Sequence, residues 1–195
     1  MTRTQILNYI SNEFSYSKYL EIGVCKREHN INHITCPNKI GVDPDGNSGA
    51  DFVITSDEFF KGNKEKFDLI FIDGLHEWEQ VLRDVKNSLD ALNENGTIVL
   101  HDCNPTSQQM QLVPRVQSEW TGDVWRAIVK LRQRNDLFMF TINTDYGCGV
   151  IRMGNQDSLT VDESELTYEN FALNKTKWLN LIGVEEFKNV IQNEK

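Results

Sequence analysis

Residues 67–104, FDLIFIDGLHEWEQVLRDVKNSLDALNENGTIVLHDCN, constrain the fold more than any other stretch of the chain. They predict a strand, a helix and a second strand. The run Phe67-Asp68-Leu69-Ile70-Phe71-Ile72 is too uniformly apolar for a half-solvated strand and suits a central parallel one covered on both faces. Asp73-Gly74 ends it. Trp78, Val81, Leu82, Val85, Leu89 and Leu92 then recur at helical spacing, with Glu79 and Arg83 placed to pair on the solvated side. Gly96 is expected to close that helix. Thr97-Ile98-Val99-Leu100 reads as a second buried strand that delivers His101 and Asp102 to its carboxyl end. Asp73, His76, His101 and Asp102 are therefore expected to meet at one edge of a sheet, where ligands of open α/β sheets bind. A lone Asp or His in such a place is more often a turn residue or an ordinary hydrogen-bonded side chain. Two strand ends, each followed by Asp and His, favour a site.

The same alternation runs through the chain on either side. Ile6, Leu7, Ile10 and Phe14 predict an opening amphipathic helix over residues 4–14, and Tyr19 begins a first strand ending at Val24. A short helix carrying Ile31 and Ile34 follows. Lys39-Ile40-Gly41-Val42 predicts the second strand, and Asp51-Phe52-Val53-Ile54 a third, with a helix starting at Ser56 or Asp57. Glu21 and Gly23 stand where a strand gives way to a loop, and Asp43 follows the second strand about 20 residues on, where ribose hydroxyls are held in nucleotide-binding sheets. The segment Asp43-Pro44-Asp45-Gly46 is equally good turn composition. Residues 105–122 read as a loop over the carboxyl edge, anchored by Trp120 and able to act as a lid. A helix over residues 123–131 precedes two strands, 137–142 and 149–153, joined through Asp145-Tyr146-Gly147 as an antiparallel hairpin. Strands separated by helices predict an α/β, doubly wound, mostly parallel seven-stranded Rossmann-like sheet with that hairpin at one edge.

A chain of 195 residues suits one domain, expected at 1–155, with a helical tail at 156–195 packed on the domain or on a partner subunit of a homo-oligomer. Phe171, Trp178, Leu181, Ile182 and Phe187 are the tail's apolar anchors. The net charge of −9 argues against nucleic acid as a partner, since such binding needs clustered cations. No stretch is apolar enough to span a bilayer, and the opening MTRTQILNYI lacks the sections of a secretory signal, so a cytoplasmic location is expected. Cys25, Cys36, Cys103 and Cys148 lack metal or redox spacing and are expected to be thiols.

YLEIGV, KIGVDPD, TSDEFF, FDLIFIDGLHEWEQVLRDVKNSL, NGTIVLHDCNP and GDVWRAIVKLR together resemble the class I S-adenosylmethionine-dependent methyltransferases, in the branch of small bacterial O-methyltransferases of sugars and natural products. The resemblance covers residues 19–153. It implies S-adenosylmethionine as cofactor and a small-molecule or sugar hydroxyl as methyl acceptor. Glu21 and Gly23 would belong to the cofactor loop, Asp43 would hold the ribose, Ser56 and Asp57 would lie by the adenine, and Asp73 would face the methyl-transfer centre. Cys25 and Arg27 depart from the family, which usually has Gly there, and their side chains are expected to crowd the methionine end of the cofactor. Relatives often hold a divalent cation between an acid after the fourth strand and an acidic pair after the fifth. The corresponding set here is Asp73, His101 and Asp102, and the imidazole moves metal preference from magnesium toward manganese, iron or zinc. His76 or His101 would serve as the base, since imidazole titrates near neutral pH. Two other readings keep parts of this pattern: a cofactor-binding scaffold whose glycine loop has decayed, and a metal-dependent hydrolase built on Asp73, His76, His101 and Asp102.

Overall fold

The apolar run at residues 67–72 forms an interior strand of a seven-stranded sheet in the computed structural model, which describes residues 1–194. Strands β1 (Lys18–Ile22), β2 (Asn38–Val42), β3 (Phe67–Ile72), β4 (Leu92–Leu100), β5 (Leu137–Ile142), β6 (Cys148–Met153) and β7 (Leu181–Ile182) lie in the order β2-β1-β3-β4-β6-β5-β7. The first four are parallel. β6 runs antiparallel to both β4 and β5, and β7 pairs in parallel with β5.

Period-two alternation assigns the side chains to two layers. Leu20, Ile22, Ile70, Ile72, Ile98 and Leu100 face one side, beneath α2 (Ser56–Gly62), α3 (Trp78–Ala91), α4 (Val124–Leu131) and α5 (Tyr168–Trp178). Tyr19, Leu69, Phe71 and Val99 face the other, beneath α1 (Arg3–Phe14) and α6 (Val184–Asn193). Coverage on both faces is why β3 carries almost no polar residue. No helix among the described residues is long and apolar enough to cross a membrane.

The strands end in register at the carboxyl edge, with Ile22 beside both Val42 and Ile72, and Ile72 beside Leu100. One further backbone bond follows each end. Gly23 N–H donates to the Val42 carbonyl at 2.9 Å, Asp73 N–H to Ile22 at 2.8 Å and His101 N–H to Ile72 at 3.1 Å. Backbone pairing itself thus sets Gly23, Asp73 and His101 along one edge. The β5–β6 turn reaches the same edge, because Cys103 and Asn104 N–H donate to the Gly147 and Tyr146 carbonyls at 3.0 and 2.7 Å.

Several expected elements differ. Residues 51–54 do not form a strand: only a Val42–Phe52 bridge is made, and Phe52 and Val53 stay exposed, so the run has no layer to enter. The seventh strand is instead β7, where Leu181 and Ile182 leave the expected helical tail to pair with Thr141 and Ile142 just outside the hairpin. Asn180, with φ of 45°, breaks the helix before them. Gly96 does not close α3, which stops at Leu92 by passing straight into extended backbone. Gly96 lies within β4, where the chain bulges between Leu92 and Thr97; a Cβ there would meet Leu92 Cγ at 2.7 Å. The short helix expected after β1 is a pair of 3₁₀ turns, Arg27–His29 and Ile31–His33.

Candidate active site

A cavity of about 810 Å³ opens along the carboxyl edge. On its β1–β2 side it is lined by Glu21, Gly23, Asp43, Ser56 and Asp57, and on its β3–β4 side by Asp73, His76, His101 and Asp102. Gly23 has φ of 87°, and a Cβ there would lie 2.2 Å from the Asp73 carbonyl oxygen, so only glycine lets the two strand ends approach this closely. The cavity wall at that point is bare backbone.

Asp43 is buried and holds the loop on both sides, accepting from Cys25 N–H through Oδ2 and from Asp45 N–H through Oδ1, each at 2.8 Å. A carboxylate oxygen can accept two hydrogen bonds, so capacity for sugar hydroxyls remains. Turn residue and ribose acceptor are compatible roles for it. Cys25 occupies the left-handed region with φ of 54°, keeping a glycine-like loop path at some backbone cost. Arg27 does not crowd the cavity. Its guanidinium turns away to the Gly49 carbonyl and to Asp51 Oδ1, each at 3.1 Å. Ser56 and Asp57 open α2, whose capping box is made by Thr55 and Glu58. Gln80 Nε2 donates to Ser56 Oγ at 3.3 Å and to Asp84 Oδ1 at 3.0 Å. Asp84 also lines the cavity, and burial pushes its carboxyl above the usual range.

Across the edge, four side chains form one acid–imidazole cluster. His76 Nε2 lies 3.4 Å from Asp73 Oδ1, and His76 Nδ1 lies 3.2 Å from Asp102 Oδ2. His101 Nδ1 is 3.2 Å from Asp73 Oδ1 and 3.3 Å from Asp102 Oδ1. Adjacent strand residues would point to opposite faces; Asp102 has φ of 60°, and this kink lets His101 and Asp102 face the same carboxylate. Several of these contacts are ionic in distance but poorly aligned as hydrogen bonds, leaving His76 Nδ1 and both His101 nitrogens without a hydrogen-bond partner. Burial opposes charge on both rings, yet Asp73 and Asp102 outweigh it: the His76 pKa is raised, and that of His101 well raised, above the ordinary imidazole value. Burial likewise opposes ionised Asp73, but His101 and His76 hold its carboxyl well below the usual range. Without a cation, the carboxylates thus favour the protonated form of both rings.

Donor atoms of Asp73, His76 and Asp102 all lie within 4.8 Å of one another, spacing that suits one cation. His101 stands behind them with 4 % of its side chain exposed, against 18 % for His76. A buried His76 Nδ1 with no aligned partner, on a ring set between the Asp73 and Asp102 carboxylates, is the observation that fits a metal.

Distant segments complete the site. Asp123 Oδ1 accepts from Trp78 N–H at 2.9 Å, capping α3, and Asp123 N–H donates to the His76 carbonyl at 3.2 Å. Gly122, with φ of 58°, packs so closely that a Cβ would sit 1.8 Å from that carbonyl. The Trp120 ring stacks on His76 with centroids 5.1 Å apart and planes 17° from parallel. From the β5–β6 turn, Asp145 Oδ1 faces His101 Nε2 at 3.6 Å, and His101 holds its carboxyl low. Arg3, Asp84, Asp123 and Asp145 are not among the site residues expected from the sequence. Asp84 alone left a signal there, as a charge on the stripe Val81-Asp84-Val85-Ser88 that α3 buries.

Residues 45–103 match a family model described as a methyltransferase domain. The fold recurs in solved methyltransferases. A methyltransferase of Podospora anserina bound to S-adenosylhomocysteine superposes with a TM-score of 0.60 over 78% of each chain at 14% identity. The O-methyltransferase TomG of Streptomyces achromogenes, in complex with S-adenosylmethionine, gives 0.56 at 12% identity over 78% of this chain and 80% of its own. An O-methyltransferase of Bacillus cereus in complex with S-adenosylhomocysteine gives 0.53 at 12% identity, over 77% and 80%. No curated sequence is significantly similar to the chain. The matched segment is a methyltransferase domain, and the fold is the one these solved methyltransferases share.

Proposed function

We propose that the protein transfers a methyl group from S-adenosylmethionine to a hydroxyl of a small molecule or sugar. The observation that carries this reading is the continuity of one cavity from Asp43, Ser56 and Asp57 to Asp73, His76 and Asp102. Asp43 takes the ribose hydroxyls, Ser56 and Asp57 lie by the adenine, and Glu21 and Gly23 receive the methionine end. The sulfonium supplies both methyl and leaving group, so the chain has to align the acceptor and take up one proton.

That work falls to Asp73, His76, His101 and Asp102. Asp73, His76 and Asp102 would hold a divalent cation, which would lower the pKa of the acceptor hydroxyl. His101, the ligand that the family resemblance implies, lies behind this set and keeps both carboxylates in place. Without a cation, His76 is the imidazole that best reaches the cavity, and its neighbouring carboxylates favour its protonated form.

Turnover with a panel of hydroxyl acceptors tests both parts. With an acceptor in hand, EDTA should abolish methylation, a divalent cation should restore it, and Asp102→Ala should reproduce the chelated state. Full activity in EDTA would remove the metal and leave His76 or His101 as an unaided base.

A further inference from the structure

Where β1 ends, the cavity wall carries a carboxyl group and a guanidinium, each with unfilled bonding capacity. Glu21 is buried, and only one of its carboxylate oxygens is engaged: Oε2 accepts from Tyr19 Oη at 2.5 Å and from Asn30 Nδ2 at 2.8 Å. No hydrogen bond from a described residue reaches Oε1. Arg3 lines the same cavity, and its guanidinium makes no hydrogen bond among the described residues. Arg3 Nε is shut off from solvent, 3.8 Å from Asp73 Oδ2.

The placement of Arg3 is built rather than incidental. Its backbone N–H donates to Asp145 Oδ2 at 2.6 Å, and a capping box of Thr2 and Gln5 fixes the start of α1. Thr4 Oγ1 donates to Asn30 Oδ1 at 2.7 Å, tying that first turn to the residue that also holds Glu21. The two charges sense each other, since Arg3 favours the ionised form of Glu21. A carboxylate and a guanidinium set on one wall, each with bonding capacity left over, match a zwitterion. Glu21 suits an ammonium, and the planar fork of an arginine suits a carboxylate held by two parallel bonds.

We propose that Arg3 holds the α-carboxylate of S-adenosylmethionine, gripping the amino-acid end of the cofactor together with Glu21. This rests on the cofactor reading above, whose only zwitterionic group is that methionyl end. Nucleoside contacts at Asp43 and amino-acid contacts at Glu21 and Arg3 then bracket Gly23, and the sulfonium between them falls beside Asp73. The first turn of α1 becomes part of the cofactor site.

Binding of S-adenosylhomocysteine and of its decarboxylated analogue, which keeps the amine, separates this role from a structural one. Arg3→Ala should weaken S-adenosylhomocysteine about tenfold or more, as loss of a charge-assisted pair does. It should leave the decarboxylated analogue within about twofold, because that ligand offers Arg3 nothing to hold. Arg3→Lys should recover part of the loss. Circular dichroism and thermal unfolding of each variant verify that α1 stays folded. Equal weakening of both ligands, or unchanged binding of S-adenosylhomocysteine, overturns the assignment while leaving the cofactor reading in place. Failure of the parent protein to bind S-adenosylhomocysteine at all would overturn that reading and the role of Arg3 with it.

Discussion

Glu21 shows how a residue proposed to hold the cofactor can oppose the stability of the chain that carries it. Burial pushes its carboxyl from 4.5 up to about 7, against the hydrogen bonds from Tyr19 and Asn30 that favour the ion. The folded protein therefore holds this proton more firmly than the unfolded chain does. The associated stability is fully present below pH 4.5 and is lost as pH rises to about 7, amounting to about 3 kcal/mol at roughly 1.4 kcal/mol per pH unit. Glu21→Gln cannot ionise and escapes that loss. Urea unfolding without ligand should find the variant gaining on the parent by about 3 kcal/mol between about pH 4.5 and about pH 8, while its affinity for S-adenosylhomocysteine falls. A variant-to-parent difference independent of pH would mean that folding does not raise the Glu21 carboxyl pKa. The residues legible from sequence, Glu21, Gly23, Asp43, Asp73, His76, His101 and Asp102, all directly follow or end a parallel strand, or lie within a turn of one. Short-range pattern fixes such places.

Elements joined by long-range packing were harder to read. Asp145 reaches His101 because β6 runs antiparallel to β4 and returns its turn to the edge, and Asp123 caps α3 from 45 residues away. No local periodicity encodes either. β7 is two residues long, and Leu181-Ile182 has no strand pattern apart from the exposed margin of β5. Its flanking helices are fixed by aromatic burial. Phe171 of α5 is fully buried with its ring 4.6 Å from Trp125 of α4, whereas Leu173 on the same helix is 84% exposed. Phe171→Ala should cost about 3–5 kcal/mol by transfer and cavity formation, and Leu173→Ala less than about 0.5 kcal/mol. Chemical unfolding of the two variants measures the contrast. Similar losses would place α5 elsewhere than against α4.

Across the whole molecule, the fold class was legible because βα alternation and two-sided burial leave few alternatives to a doubly wound sheet. The site's position followed from the fold. Its protonation did not, since the raised imidazole pKa values depend on carboxylates that two different strands bring within 3.4 Å. One cavity at the carboxyl edge is proposed to bind a sulfonium nucleoside beside a reacting hydroxyl. Calorimetric titration of the intact protein with S-adenosylhomocysteine tests it most directly. Saturable binding at one site per chain is the expected result, whereas a folded protein that evolves no binding heat and gains no thermal stability with this ligand would overturn the cofactor reading.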